Sequence, residues 1–117
     1  MPTIRDLTAA IRQRAGVEAV VVLGRDGLLI DCQSANAIDS EDLAARVPGI
    51  VASADEVGGA TGKGALRISL IEFESGYAVI SAVGSDAVLF VLTSPTADLG
   101  SLLHDVRRHR ESIEGLF

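Results

Sequence analysis

Residues Ala87-Val88-Leu89-Phe90-Val91-Leu92-Thr93, entered through Asp86 and left through Ser94-Pro95-Thr96-Ala97, constrain the fold most. A run that is apolar at every position belongs to a strand covered on both faces, because a sheet wetted on one side alternates apolar with polar residues. The segment from Asp98-Leu99-Gly100 to Leu102-Leu103 then takes up helical spacing and is one of the covers. The expectation is an α/β (α+β) three-layer sandwich. Nothing in the run offers a nucleophile, a metal-ligand set or a phosphate loop, so it speaks for architecture and association before chemistry.

The remaining elements follow from periodicity and turn residues. Thr3 caps a first helix, with Asp6 in capping-box position and Ile4, Leu7, Ala10, Ile11 and Ala15 at helical spacing up to Gly16. Val17 to Leu23 and Leu28 to Ser34 flank Gly24-Arg25-Asp26-Gly27 as a β-hairpin, with Leu28, Ile30 and Cys32 on the inner face. A second helix starts at Asp39 or Ser40 and buries Leu43, Val47, Ile50, Val51, Ala54 and Val57, bending at Pro48-Gly49 because proline in a helix interior costs about 3 kcal/mol. After the glycine-rich connection Gly58 to Gly64, the segments Leu66 to Glu74, Tyr77 to Val83 and Ala87 to Thr93 form an antiparallel meander. A last helix turns Leu99, Leu102, Leu103, Val106 and Ile113 inward, which completes the order αββαβββα over one domain, residues 1–117.

Composition narrows the function. Of 117 residues, 48% are hydrophobic but only 3% aromatic, so the core is aliphatic and a chain this small has surplus apolar surface to bury against a partner. A net charge of −6 argues against nucleic acid as a partner, since phosphate neutralisation needs clustered Lys and Arg. Seven acids and two bases lie between Asp26 and Lys63, while Arg107, Arg108 and Arg110 cluster near the C-terminus, two solvated faces of opposite sign. With a single cysteine, no secretory leader pattern and no apolar stretch long enough to span a bilayer, the chain is expected to be cytoplasmic, away from membranes.

The candidate chemistry is thin. Gly62-Lys63 lacks the glycine five places earlier, where Val57 stands, and the Ser or Thr after the lysine, where Gly64 stands, so it is not a nucleotide-binding P-loop. Cys32 sits on an apolar strand face and reads as a structural thiol rather than a nucleophile served by His104. His104 and His109 are five residues apart, off the i, i+4 spacing of a helical metal pair. No enzyme activity, metal or cofactor is expected.

The second helix is more informative. Besides its inward stripe it carries Ala45, Gly49, Ala52, Ser53 and Glu56 on one outward face. Residues this small are either plain solvated helix surface or a docking face that lets another backbone come close.

The order αββαβββα, the Gly24-Arg25-Asp26-Gly27 hairpin, and Asp86 to Phe90 leading through Ala97-Asp98-Leu99-Gly100-Ser101-Leu102 resemble the roadblock/dynein light chain family, in its bacterial MglB-like branch, over nearly the whole chain. The resemblance implies a roadblock/profilin-like sandwich whose five-stranded antiparallel sheet runs 2-1-5-4-3, with helices one and three on one face and helix two on the other. It implies a homodimer built on the strand-three edge and helix two, using Val51, Leu66, Arg67, Ile68, Ser69 and Leu70. It also implies a Ras-like small GTPase as partner, activated without an inserted arginine finger; the outward stripe of the second helix, Ala45, Gly49, Ala52, Ser53 and Glu56, is the face expected to meet it. The alternative is a non-catalytic scaffold or adaptor of light-chain type.

Overall fold

The computed structural model describes residues 3–35 and 37–117. Five strands, β1 (Val17–Gly24), β2 (Leu29–Ser34), β3 (Ile68–Phe73), β4 (Gly76–Val83) and β5 (Ala87–Thr93), form one antiparallel sheet in the order β2-β1-β5-β4-β3. β5 lies at its centre, paired with β1 on one side and β4 on the other. Its burial on both faces is what the unbroken apolar run demanded.

Two aliphatic layers flank the sheet. On one face α1 (Ile4–Arg12), α3 (Leu99–Arg108) and α4 (Arg110–Glu114) bring Ile11, Leu102, Val106 and Ile113 onto Val20, Val22, Val79, Leu89 and Val91. On the other, α2 (Ser40–Ala60) sets Ala44, Val47 and Val51 on Val21, Leu23, Ile80, Val88 and Phe90. Alternate residues of each strand thus feed opposite layers, as period-two geometry requires.

The helix starts are side-chain built. Thr3 and Asp6 exchange two bonds in a full capping box, the Thr3 amide donating to Asp6 at 2.9 Å and the Asp6 amide to Thr3 Oγ1 at 3.1 Å. Asp39 and Asp98 cap α2 and α3, each accepting one backbone N–H. The first helix stops at Arg12, earlier than its apolar spacing suggested. The chain then turns through Gly16 at φ +84°, where a Cβ would come 2.7 Å from the Ala97 Cβ.

Three expectations are corrected. The β1–β2 ladder slips between Val22 and Leu23, so that Asp31 faces Val22 and Leu29 faces Leu23 with Ile30 left over. This bulge turns Leu29 inward with Cys32 and leaves Leu28 and Ile30 exposed, where strict alternation had placed them inside. In α2 the buried series is Ser40, Ala44, Val47 and Val51, while Ile50 and Val57 are 41% and 64% exposed on its flank. Finally, the last helix divides at His109, which lets α4 lie against β4 and sink Ile113 into the core.

Pro48 does not break α2, which runs as one helix through it. Proline offers no N–H to the Ala44 carbonyl one turn earlier. That carbonyl faces Gly27 at the hairpin tip, where a Cβ would stand 3.6 Å from it.

Candidate functional site

Chemistry among the described residues is sparse. No group of His, Cys, Asp and Glu there could hold a metal ion, and Cys32 lies half-buried against the α2-side core. His104 and His109 are exposed on the far helical layer. No helix among these residues is long and apolar enough to cross a membrane. What the fold offers is surface.

The first surface is the outer face of α2. Ala45, Gly49, Ala52, Ser53 and Glu56 are all exposed, opposite the buried Ala44, Val47 and Val51. The helix is thus anchored by one stripe and presents a low, small-residue stripe on the other side, since positions four and seven apart share a face. Arg46, exposed and paired with Asp42 at 2.9 Å, rises on its flank beside Ser53. The sequence places these five residues together, and so does the structure.

The second surface is the free side of β3, which among the described strands pairs with β4 alone. Leu70 is 47% and Phe73 51% exposed on it, while Ile68 and Ser69 are half-buried. Leu66 and Arg67 precede the strand, and the Leu66 amide is taken by the Asp55 carboxylate at 2.7 Å, so Leu66 is drawn inward. Val51 is 1% exposed and is a core residue under α2, not a surface one, because the stripe that anchors the helix runs through it. An unpaired strand edge carrying large apolar side chains is a liability unless something covers it.

Besides Leu28 and Ile30, sequence reasoning missed three exposed apolar residues, Ile50 and Val57 on α2 and Phe73 on β3. Leu43, Ile50 and Val57 are spaced by seven, a helical seam beside the buried stripe. That spacing was visible as a signal, but it was absorbed into the inward set.

One electrostatic staple holds the two surfaces in relation. Asp55 of α2 receives Arg25 of the hairpin turn at 2.9 Å and the Leu66 amide ahead of β3 at 2.7 Å. The Leu66 hydrogen bond and then the Arg25 pairing hold its pKa below the ordinary carboxylate value. The Arg25 amide in turn donates to the Asp86 carbonyl in the β4–β5 turn at 2.9 Å. Helix, hairpin, edge strand and meander therefore meet at one half-buried ion pair.

Comparison with known proteins places this architecture. An uncharacterised protein of Methanocaldococcus jannaschii is 28% identical over 107 residues, covering 92% of this chain and 93% of its own length. A Roadblock/LC7 domain of Streptomyces avermitilis is 31% identical, with a TM-score of 0.67 and coverage of 92% of this chain and 93% of that one. Myxococcus xanthus MglB shares the fold with a TM-score of 0.84 at 21% identity, covering 92% of this chain and 82% of its own. The Roadblock/LC7 domain family model itself matches residues 3–93, and with that span and that sheet order the chain belongs to the Roadblock/LC7 domain family.

Proposed function

We propose that the protein is a homodimeric regulator of a Ras-like small GTPase, acting through contact and not through catalytic residues of its own. The observation that carries this reading is the pairing of two unpartnered surfaces on one rigid unit: the small-residue face of α2 and the open edge of β3. The β3 edge suits a second copy, because a strand presenting unpaired backbone groups with Leu70 and Phe73 is satisfied by its own symmetry mate. Ile50 and Val57, on the flank of α2, add apolar area to that contact. Ala45, Gly49, Ala52, Ser53 and Glu56 then remain free for the GTPase, whose hydrolysis would be altered by repositioning its own groups, with no arginine finger supplied. The MglB-like fold supports the reading.

The test immobilises the full chain and passes lysate of its source organism over it, once with GDP and once with a non-hydrolysable GTP analogue. Retention of a Ras-like GTPase in the analogue arm, lost with Ala52→Arg, is the expected outcome. Retention of the same partners in both arms, with no GTPase among them, replaces the regulator with a light-chain-type scaffold. For self-association, sedimentation equilibrium of Leu70→Asp should show monomer where the unaltered chain shows dimer. An unaltered chain that sediments as a monomer overturns the dimer.

A further inference from the structure

Two adjoining clefts near the turn between β4 and β5 gather positive charge in an acidic protein. The larger, of about 840 Å³, is lined by Arg25, Lys63, Arg67 and Arg110, with Glu111 and Glu114 the carboxylates among its lining residues. The smaller, of about 440 Å³, shares Arg67 and Arg110 and adds Arg107. Half of the ten Lys and Arg residues of a chain with net charge −6 therefore surround one depression. Arg25 is committed to Asp55, but Lys63, Arg67, Arg107 and Arg110 make no ion pair among the described residues. Like charges brought together without partners repel, and a cleft in which cations outnumber carboxylates focuses the field for a counter-ion.

The backbone around the larger cleft is low. Gly64 at φ +88° and Gly84 at φ +64° lie on its wall, each with no heavy atom within 4 Å of the place a Cβ would occupy. The Nε atoms of Arg25 and Arg110 are buried without a hydrogen-bond partner, so neither guanidinium is fixed by its full set of donors. The volume falls within the range of small-molecule sites, about 300–1,000 Å³. No aromatic side chain lines either cleft, which removes the stacking platform that a nucleobase would use.

We propose that the joined clefts around Arg67 and Arg110 form an anion site for a compact polyanion of the diphosphate type, held by Lys63, Arg67, Arg107 and Arg110. Two linked phosphate groups suit a pair of clefts that share Arg67 and Arg110 and add one further cation each, Lys63 in the larger and Arg107 in the smaller, and guanidiniums are suited to bidentate contact with phosphate oxygens. The Gly62-Lys63-Gly64 segment, which fails as a P-loop, contributes its lysine as a point charge from a loop that follows a helix. The site stands apart from the small-residue face of α2 and does not require the GTPase reading.

Isothermal titration of the full chain with inorganic pyrophosphate at low ionic strength tests it, with orthophosphate and ADP as parallel arms. Arg67 adjoins the proposed dimer edge, so the variants are Lys63→Ala with Arg110→Ala, and Glu111→Gln with Glu114→Gln. One saturable pyrophosphate site is expected, weakened at least about tenfold in the first pair and tightened about threefold in the second. Orthophosphate should bind about tenfold more weakly than pyrophosphate, and ADP within about threefold of it, which assigns recognition to the diphosphate and not to the base. No saturable pyrophosphate binding overturns the site, as does pyrophosphate affinity unmoved by both variant pairs, or tight binding confined to ADP. Because the glutamine pair adds no bulk and leaves the cations in place, it decides the matter even where the alanine pair disturbs folding.

Discussion

The carboxylate of Asp55 accepts the backbone N–H of Leu66 at 2.7 Å across the entire glycine-rich connection, tying the last turns of α2 to the start of the edge strand. With Arg25 on its other oxygen, both contacts favour the ionised form and lower its pKa below the ordinary 3.8. A carboxylate whose folded pKa is depressed contributes stability that is complete above the unfolded value and is lost as pH falls through the folded one. Urea unfolding of Asp55→Asn should therefore show a deficit at neutral pH that closes below about pH 4. A deficit independent of pH would mean that shape, and not charge, makes the staple.

Neighbouring glycines of α2 should respond in opposite directions. A Cβ on Gly58 would collide with the Gly64 carbonyl, whereas Gly59 has open space and an ordinary helical backbone. Gly58→Ala is expected to cost about 1–3 kcal/mol through overpacking. Gly59→Ala is expected to stabilise by about 0.5–1 kcal/mol, since alanine loses less freedom in a helix. Thermal melts of the two variants read the difference directly.

Val51 and Ala52 are adjacent in α2, about 100° apart around its axis, and the first is buried while the second is exposed. Val51→Ala removes two buried methyl groups and should cost about 2 kcal/mol. Ala52→Arg points into solvent and should change chemical-denaturation stability by no more than about 0.5 kcal/mol. A large loss at Ala52 would show that the outer face of α2 is already engaged within the protein.

Thr8 is fully buried, and its hydroxyl donates to Asp31 at 2.8 Å, while Arg5 reaches the same carboxylate from solvent at 3.1 Å. Thr8→Val keeps the shape and removes the donor from a charged acceptor, a loss of about 1.5–3 kcal/mol. Arg5→Ala should cost under about 1 kcal/mol, because its exposed guanidinium is screened. Equal losses in equilibrium unfolding would refute this ranking.

Tyr77, the one tyrosine in a chain without tryptophan, donates its hydroxyl to Glu72 across the β3–β4 pair at 3.2 Å. The carboxylate holds the proton on the phenol and raises its pKa above the ordinary 10.0. In an alkaline absorbance titration Glu72→Gln should bring the Tyr77 midpoint down towards that value, with no other tyrosine to obscure it. A midpoint the same in both proteins would break the link.

Local signals wrote most of this fold. The caps at Thr3, Asp39 and Asp98, the Asp26-Gly27 turn and the two-faced apolar run through Phe90 each fix an element without reference to its neighbours. The exposed set Ala45, Gly49, Ala52, Ser53 and Glu56 was legible for the same reason, since helical spacing alone assigns a face. What escaped depends on other elements. Ile30 is turned outward by a slip in its ladder with β1, and Ile50 and Val57 are left on the flank because the anchoring stripe runs through Ala44 and Val51 instead. Val51 stands both in the inward stripe of the second helix and in the interface that the family resemblance implies, and its burial in the core decides for the first. The charge gathered at Arg67 and Arg110 is likewise invisible in sequence, since its members come from three segments, at Arg25, Lys63 to Arg67 and Arg107 to Arg110, that are distant along the chain.

The ladder slip at Val22 and Leu23 reaches further than the one side chain it displaces. Two copies joined along β3 would present a β2 strand at each end of the combined sheet. Each of those strands is six residues long, loses its regular hydrogen-bond spacing at Ile30, and carries Asp31 turned towards Thr8 and Arg5. A growing strand finds no straight template there. In a pair so joined the irregularity would act as a terminator, letting the sheet double and keeping it from lengthening into a filament.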